Sequence, residues 1–253
     1  MASITLCYHD VVSEDDVNTS GFPGADAATY KLPVSVFCNH IKAITNVVNC
    51  TSEVPKYQVR LTFDDGGVSS CRIADILERY GLRGYFFVPT DYIGARAFLN
   101  ASQILDLRRR GHTIGSHSCS HRGRMSSMLS EALEQEWNRS VAILSDLVGE
   151  RVTTASVPSG YYCRRVAESA ASVGLTLLFT LQPTTRTEIV AGCVVAGRYM
   201  MRKHTPADEA ARIASGALMP RLGQQLFWNT KKILKAAPLY AKVRRLYFEH
   251  IGT

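Results

Sequence analysis

The chain has 253 residues, a length that suits one large domain or one domain with a tail. Hydrophobic residues make up 46% and charged residues 20% of the chain, which excludes a disordered or fibrous protein. The formal net charge is +7, but eight basic residues against three acidic ones lie from Pro206 onwards, so the rest is nearly neutral. This uneven distribution disfavours a nucleic-acid binder with a uniformly basic surface, and no nucleic-acid partner is expected.

Short apolar runs and helical patterns alternate along the first four fifths of the chain. The runs that predict strands cover 3–8, 59–63, 84–88, 113–115, 154–157, 175–180 and 190–195. The spacings that predict helices cover 34–48, 71–80, 102–110, 130–148 and 164–172. Residues 13–33 are rich in Gly, Pro, Ser, Asp and Asn and predict a long loop. The alternation predicts an α/β fold with a parallel sheet or barrel, and such folds place their sites just after the strands.

Cysteines and terminal signals restrict the class of protein further. The seven cysteines are irregularly spaced and form no CxxC pair, which disfavours both a zinc ribbon and a dense disulfide framework. The opening MASITLCYHD lacks the pattern of a signal peptide, and no apolar run reaches membrane-spanning length. These features lead us to expect a cytoplasmic location.

Two polar segments follow predicted strands. His117 and His121 lie four residues apart and can bind one metal ion if the segment between them makes a helical turn, although such a pair is also common in polar loops. Asp64 and Asp65 follow the strand 59–63, and by themselves they favour a turn with a capping aspartate. Taken together, one carboxylate and two imidazoles complete a three-ligand metal site, and the second carboxylate is left free to act as a base.

These segments resemble the motifs of the NodB-like polysaccharide deacetylases, the family 4 carbohydrate esterases. The resemblance rests on TFDDG at 62–66, HSCSH at 117–121 and a strand that ends in PSG at 158–160, and it extends roughly over residues 3–200. It implies a distorted (β/α) barrel that removes N-acetyl or O-acetyl groups from sugars with a divalent metal, usually zinc.

The resemblance also implies roles for individual residues. Asp64 resembles the general base, and Asp65, His117 and His121 resemble the metal ligands. The backbone amide of Ser159 corresponds to a donor that stabilises the oxyanion formed when water attacks the acetyl group.

The chain departs from the family in the third motif. An arginine normally stands two residues before the motif proline and holds the base carboxylate, but Ser156 occupies that position before Pro158. Arg164, Arg165 and Arg198 are candidates to replace it, and spacing alone does not choose among them.

The late LxH motif, which supplies an acid histidine, is not evident in the stretch 190–201. His9 ends the first predicted strand, so a barrel would place it at the same rim as Asp64. We therefore expect His9 to donate a proton or to contact substrate, while a role in capping the following loop explains its position equally well. Tyr161 is a candidate to stack on a sugar ring or to enter the core, and Cys119 is expected to pack away from the metal.

We assign residues 1–205 to a deacetylase domain and 206–253 to a basic helical C-terminal extension. Within the extension, 227–250 mixes aromatic and aliphatic residues with Lys and Arg and predicts a basic amphipathic helix broken near Pro238. We favour a helix packed on the barrel with its basic side in water. The alternative is peripheral contact with an anionic membrane at its cytoplasmic face.

The sequence therefore predicts a distorted α/β barrel with a C-terminal helical extension. The expected activity is metal-dependent N-deacetylation, with O-deacetylation less favoured, and zinc is the favoured metal. The expected substrate is an intracellular or lipid-linked glycan precursor. Two alternatives stay open: deformylation of a lipid-linked amino sugar by the same chemistry, and carbohydrate binding without catalysis on a decayed barrel.

Overall fold

The computed structural model describes residues 2–49 and 57–236. Its strands are β1 (Ala2–Tyr8), β2 (Val11–Val12), β3 (Leu32–Pro33), β4 (Tyr57–Phe63), β5 (Tyr85–Val88), β6 (Thr113–Ser116), β7 (Thr154–Ser156), β8 (Leu177–Phe179), β9 (Thr187–Val190), β10 (Cys193–Ala196) and β11 (Tyr199–Met200). Its helices are α1 (Ala25–Ala28), α2 (Val34–Asn49), α3 (Ser70–Arg79), α4 (Ala101–Arg109), α5 (Ser130–Val148), α6 (Arg164–Ser172), α7 (Ala207–Ala214) and α8 (Leu218–Ala236).

Nine of these strands form one sheet in the order β11-β1-β4-β5-β6-β7-β8-β10-β9. All neighbours pair in parallel except β9 and β10. β10 and β11 therefore lie near opposite ends of the sheet, yet only Gly197 and Arg198 separate them in the chain. Such a short connection requires the sheet to curl back on itself, and the expected distorted barrel is confirmed.

The interior of the barrel below its carboxyl rim is aromatic. Phe87 and Phe179 are completely buried and pack with Ala196. Their rings lie under the guanidinium of Arg198, with its central carbon 5.9 and 5.8 Å from the two ring centroids. The barrel is therefore filled by side chains, and polar chemistry is restricted to the rim above this floor.

The structure corrects two expectations from the sequence in this region of loops and strands. The loop predicted over 13–33 contains α1 and β3, and β3 pairs with β2. The strand predicted over 190–195 is wrong, because Val190 ends β9 and Cys193 begins the antiparallel β10. Ala191 and Gly192 both have positive φ and form the two-residue turn between these strands, whose geometry overrides the apolar run.

The C-terminal helix begins earlier than the sequence predicts. α8 begins at Leu218 rather than at residue 227, and the part of the predicted helix over 237–250 lies outside the described residues. None of the described helices is long and apolar enough to cross a membrane. α7 buries its apolar side against α2, and the domain boundary after residue 205 stays a prediction.

Closure of the barrel gives a testable prediction at Gly197. A Cβ atom at this position would overlap the backbone oxygens of Gln182 and Thr184. We expect Gly197→Ala to lower the free energy of unfolding by about 1–3 kcal/mol, measured by chemical denaturation. Gly223→Ala is the matched control, because a Cβ there meets no atom within 4 Å and alanine favours the α8 helix. Equal stability of the two variants would contradict this account of closure.

Candidate functional site

Three metal-ligating side chains converge at the carboxyl rim of the barrel. Asp65 follows β4, whereas His117 and His121 follow β6. Asp65 Oδ1 lies 3.4 Å from His117 Nε2 and 3.2 Å from His121 Nε2. One ligand atom from each of the three residues lies within 4.8 Å of the others. The structure therefore brings together the two segments that the sequence singled out, although they are about fifty residues apart.

The two histidines meet through a tight loop rather than the helical turn that the sequence analysis required. Ser118 and His121 both have positive φ, of 62° and 52°. Glu136 on α5 holds this loop by accepting hydrogen bonds from the amides of Cys119 and Ser120, both at 2.9 Å, and from the Ser120 hydroxyl at 2.6 Å. The role of Glu136 is not visible in the sequence, because α5 returns to the loop only through the tertiary fold.

The donor set fits a divalent metal ion. His117 Nδ1 donates a hydrogen bond of 2.9 Å to the Ser156 carbonyl, which leaves the Nε2 lone pair directed towards Asp65. Two imidazoles and one carboxylate are a common ligand set for zinc and other first-row divalent ions. Cys119 does not join this set, because its buried thiol faces the Thr90 hydroxyl at 3.2 Å.

Asp64 lies beside the three ligands in a buried ion pair with Arg198. The two carboxylate oxygens accept hydrogen bonds of 2.7 and 2.8 Å from the guanidinium. Asp64 Oδ2 lies 4.0 Å from His117 Nε2 and also accepts a hydrogen bond from the Ser156 hydroxyl at 3.1 Å. Burial alone would raise the pKa of Asp64, but the charge of Arg198 and then that of His117 lower it to about 2.

Arg198 replaces the arginine that is missing from the third motif. Ser156, which stands where the family carries arginine, accepts a hydrogen bond of 2.7 Å from Arg198 Nη2. Its small side chain leaves room for a guanidinium that arrives from the β10–β11 connection. Arg164 instead bonds to Glu168 on the surface, and Arg165 bonds to the carbonyl of Ser126. The structure therefore selects Arg198 among the three candidates.

His9 lies close to both aspartates. After burial, which raises the pKa of Asp65, the charge of His9 is the largest influence on that carboxyl, whose pKa lies well below its usual range. The same charge also lowers the pKa of Asp64. Nδ1 of His9 is buried without a hydrogen-bond partner among the described residues, and its ring packs 5.0 Å from that of Tyr30. His9 directly follows β1, and its role at the site stays a prediction.

The turn after β7 forms another side of the rim. Ser159 has φ 55° and ψ 4°, a left-handed conformation that is unfavourable for a residue with a side chain. Tyr161 follows this turn, and the Arg124 guanidinium lies 5.7 Å from the centre of its ring. Both Ser159 and Tyr161 line a groove of about 730 Å³ that extends from the rim to α8.

The long N-terminal segment covers the remaining side. Phe22 stacks on the imidazole of His121 with ring centroids 4.4 Å apart, and its ring also packs edge-on against Tyr92 and Phe98. The sequence analysis identified only a long loop here. A phenylalanine between Gly21 and Pro23 carries no periodic signal that would place it on a histidine a hundred residues away.

Comparison with known proteins gives consistent matches. A family model described as polysaccharide deacetylase matches residues 51–178. The putative polysaccharide deacetylase YxkH of Bacillus subtilis (strain 168) is 25% identical over 126 residues, which are 49% of this chain and 45% of that protein. The match thus spans less than half of the length of this curated relative.

Solved structures share the fold at low sequence identity. BC0361, a polysaccharide deacetylase from Bacillus cereus, is 16% identical with a TM-score of 0.69, over 85% of this chain and 69% of that one. IcaB from Ammonifex degensii is 20% identical with a TM-score of 0.65, over 85% and 96% of the two chains. The Streptococcus pyogenes deacetylase PplD, solved with acetate, is 17% identical with a TM-score of 0.64, over 82% and 96%.

The buried ion pair predicts a stability change that depends on pH. Because the folded-state pKa of Asp64 is about 2, below its ordinary value, the pair stabilises the protein above about pH 4 and this contribution is lost as the pH falls further. In Arg198→Gln the buried carboxylate lacks its counterion, so we expect a loss of about 3–5 kcal/mol in unfolding free energy at pH 7. The loss should shrink at about pH 4, where Asp64 of the variant takes up a proton.

Chemical denaturation at both pH values measures this change. Arg164→Gln serves as the control, since it removes an exposed arginine that pairs with Glu168 four residues away. A difference between Arg198→Gln and the parent protein that stays constant with pH would contradict the assigned pairing.

Proposed function

Because the chain belongs to the polysaccharide deacetylase family, we propose that it hydrolyses N-acetyl groups on a glycan with a divalent metal held by Asp65, His117 and His121. The observation that carries this proposal is the buried, ionised Asp64 beside the three converging ligands. Sugar binding alone requires neither a three-ligand metal set nor an ionised carboxylate beside it. The complete set therefore favours catalysis over the sugar-binding alternative.

Because its carboxylate is ionised, Asp64 can act as a proton acceptor in the reaction. When bound, a divalent metal supplies a Lewis acid for the acetyl carbonyl and increases the acidity of water. Asp64 accepts the proton of the attacking water, and the Arg198 pair keeps its carboxylate ionised and correctly oriented. A carboxylate with a pKa of about 2 is a weak base, so turnover is expected to require the metal.

The other rim residues act on the substrate itself. The Ser159 amide is a donor for the developing oxyanion, held by the left-handed turn at that residue. His9 donates a proton to the leaving amine, in place of the late histidine of other members. Tyr161 contacts a sugar ring at the entrance of the groove. Zinc is the metal we propose, on the basis of the two imidazole ligands.

Acetate release from N-acetylglucosamine oligomers tests the activity. We expect the metal-loaded protein to release acetate, a chelator to abolish the release and added zinc to restore it. Asp64→Asn should lower kcat by about 10²–10⁴-fold while metal binding remains, because it removes the proton acceptor but not a ligand. Asp146→Asn, which changes an exposed carboxylate on α5, is the matched control. Undiminished release by Asp64→Asn would refute the proposed base, and release of formate alone from N-formyl analogues would support the deformylase alternative.

His9 has a separate test. We expect His9→Ala to lower kcat by about 10²–10⁴-fold with unchanged metal content, because the leaving amine loses its proton donor. His204→Ala, at an exposed histidine after β11, should retain full activity. Full turnover by His9→Ala would leave His9 with only a structural role beside Tyr30.

A further inference from the structure

The two histidines of the proposed metal site are held by different kinds of contact. His117 is oriented by the hydrogen bond of 2.9 Å from its Nδ1 to the Ser156 carbonyl. A metal-ligating histidine usually has such an acceptor, which fixes its tautomer and the direction of the other nitrogen. Among the described residues, the His121 side chain makes one polar contact, of Nε2 with Asp65 Oδ1 at 3.2 Å, and its Nδ1 has no acceptor. Within the protein, the His121 ring therefore depends on packing for its orientation.

The ring of Phe22 supplies this packing. It lies on the imidazole of His121 with the two centroids 4.4 Å apart and the planes inclined by 28°. The His117 ring is also next to His121, but at 5.0 Å and inclined by 50° it makes no flat contact. A ring that covers one face of an imidazole restricts rotation about the Cβ–Cγ bond, because turning the imidazole would drive its edge into the stacked ring. The stack thus holds Nε2 of His121 in the direction of Asp65.

The Phe22 ring is in turn held by two other aromatic side chains. Tyr92 and Phe98 pack edge-on against it, with centroid distances of 4.9 and 5.0 Å, an arrangement that is favourable for aromatic pairs. The backbone next to Phe22 is joined to the same loop, since the Gly21 amide donates a hydrogen bond of 2.8 Å to the carbonyl of residue 97. Among the described residues, neither Tyr92 nor Phe98 makes a ring contact with His121. Phe22 is therefore the member of this cluster that reaches the ligand.

A buried carboxylate fixes the chain just before Phe22. Asp10 Oδ1 accepts hydrogen bonds from the hydroxyl groups of Ser20, at 2.5 Å, and Ser69, at 2.8 Å. The Ser20 oxygen also accepts a hydrogen bond of 2.8 Å from the Ser69 amide. All three residues are buried, so a shift of the segment would leave polar groups without partners, which is energetically costly. Phe22 is thus presented to His121 in one position by contacts that do not involve a metal.

We propose that Phe22 is a positioning residue for the metal ligand His121, and that the stack of the two rings strengthens metal binding. The ring does for His121 what the Ser156 carbonyl does for His117. The inference rests on the proposed function, since it requires the metal site of Asp65, His117 and His121. A leucine in place of Phe22 would fill much of the same space but would not confine an imidazole to one plane. The flat face of the ring, rather than its apolar bulk, is therefore the property that determines metal affinity.

The affinity for zinc tests this role independently of activity. The full chain, stripped of metal, competes for zinc with a chromophoric chelator. We expect Phe22→Leu to weaken zinc binding by about tenfold, the lower end of the effect of removing a contact that orients a metal ligand. Phe22→Tyr should stay within about twofold of the parent protein, because its ring retains the flat face. Phe98→Leu is the matched control and should behave like Phe22→Tyr, since the same substitution removes a ring that packs on Phe22 but not on His121.

Two further measurements separate positioning of the ligand from loss of the fold. The visible absorption of bound cobalt(II) follows its coordination geometry, so Phe22→Leu should change this spectrum and Phe22→Tyr should preserve it. In acetate release, Phe22→Leu should need about tenfold more free zinc than the parent for half-maximal turnover. Circular dichroism of the metal-free proteins shows whether each variant keeps the fold. Phe22→Met, which is also apolar without a flat ring, takes the place of Phe22→Leu if the latter does not fold.

The outcomes distinguish the role of Phe22 from the proposed function. Equal zinc affinity of the parent and Phe22→Leu overturns the positioning role, and acetate release by the parent then leaves the deacetylase standing. Losses of equal size in Phe22→Leu and Phe98→Leu also overturn the role, since the whole cluster rather than the stack would then support the ligand. Zinc binding that Phe22→Leu weakens, without acetate release from the parent, supports the role and refutes the catalytic proposal. Zinc affinity that is unaffected by His121→Ala refutes the proposed metal site and with it the role of Phe22.

Discussion

The guanidinium of Arg198 makes five hydrogen bonds, one for each N–H group that an arginine carries. The acceptors are Thr62 on β4, Asp64 directly after β4, Ser156 on β7 and Thr180 after β8. A single buried cation thus connects strands from across the curled sheet at the point where the sheet closes. Because a buried charge is costly unless it is paired and fully hydrogen-bonded, the fold is tied to one arrangement of these strands. The same contacts keep Asp64 ionised beside the metal ligands.

The cation that pairs with Asp64 can come from more than one position in the chain. In the family pattern the corresponding arginine stands at the end of β7, whereas here Ser156 occupies that position and the guanidinium arrives from the β10–β11 connection. The two positions face each other across the barrel interior, so either can direct a cation at Asp64. A constellation of catalytic groups is defined by its geometry, and the order of its residues in the chain can change. The absence of the motif arginine is therefore weak evidence for a decayed site.

Local patterns in the sequence were sufficient to predict the barrel and to single out the residues that we propose as metal ligands. Alternating strands and helices predict the parallel barrel, and Asp64, Asp65, His117 and His121 are recognisable because they follow strands whose carboxyl ends share a rim. What the sequence could not supply depends on contacts between distant segments. The choice of Arg198 over Arg164 and Arg165 requires the closure of the sheet, and the hairpin of β9 and β10 requires a turn inside an apolar run. Glu136 and Phe22 contact the loop that carries the two histidines only through the tertiary fold, and no sequence pattern links them to it.

The backbone conformation at the rim explains why the site depends on contacts from the surrounding structure. The described residues include six non-glycine positions with positive φ, and four of them, Asp65, Ser118, His121 and Ser159, lie at the rim. Left-handed backbone at residues with side chains costs of order 1–3 kcal/mol each, so it persists only where surrounding contacts determine it. Here Glu136 holds the amides of the histidine loop, and the Ser118 hydroxyl accepts a hydrogen bond from the His121 amide. Two of these strained residues, Asp65 and His121, are also among the three whose ligand atoms converge at the rim. The helices and the barrel closure therefore contribute to function by stabilising a backbone that the site sequence alone would not adopt.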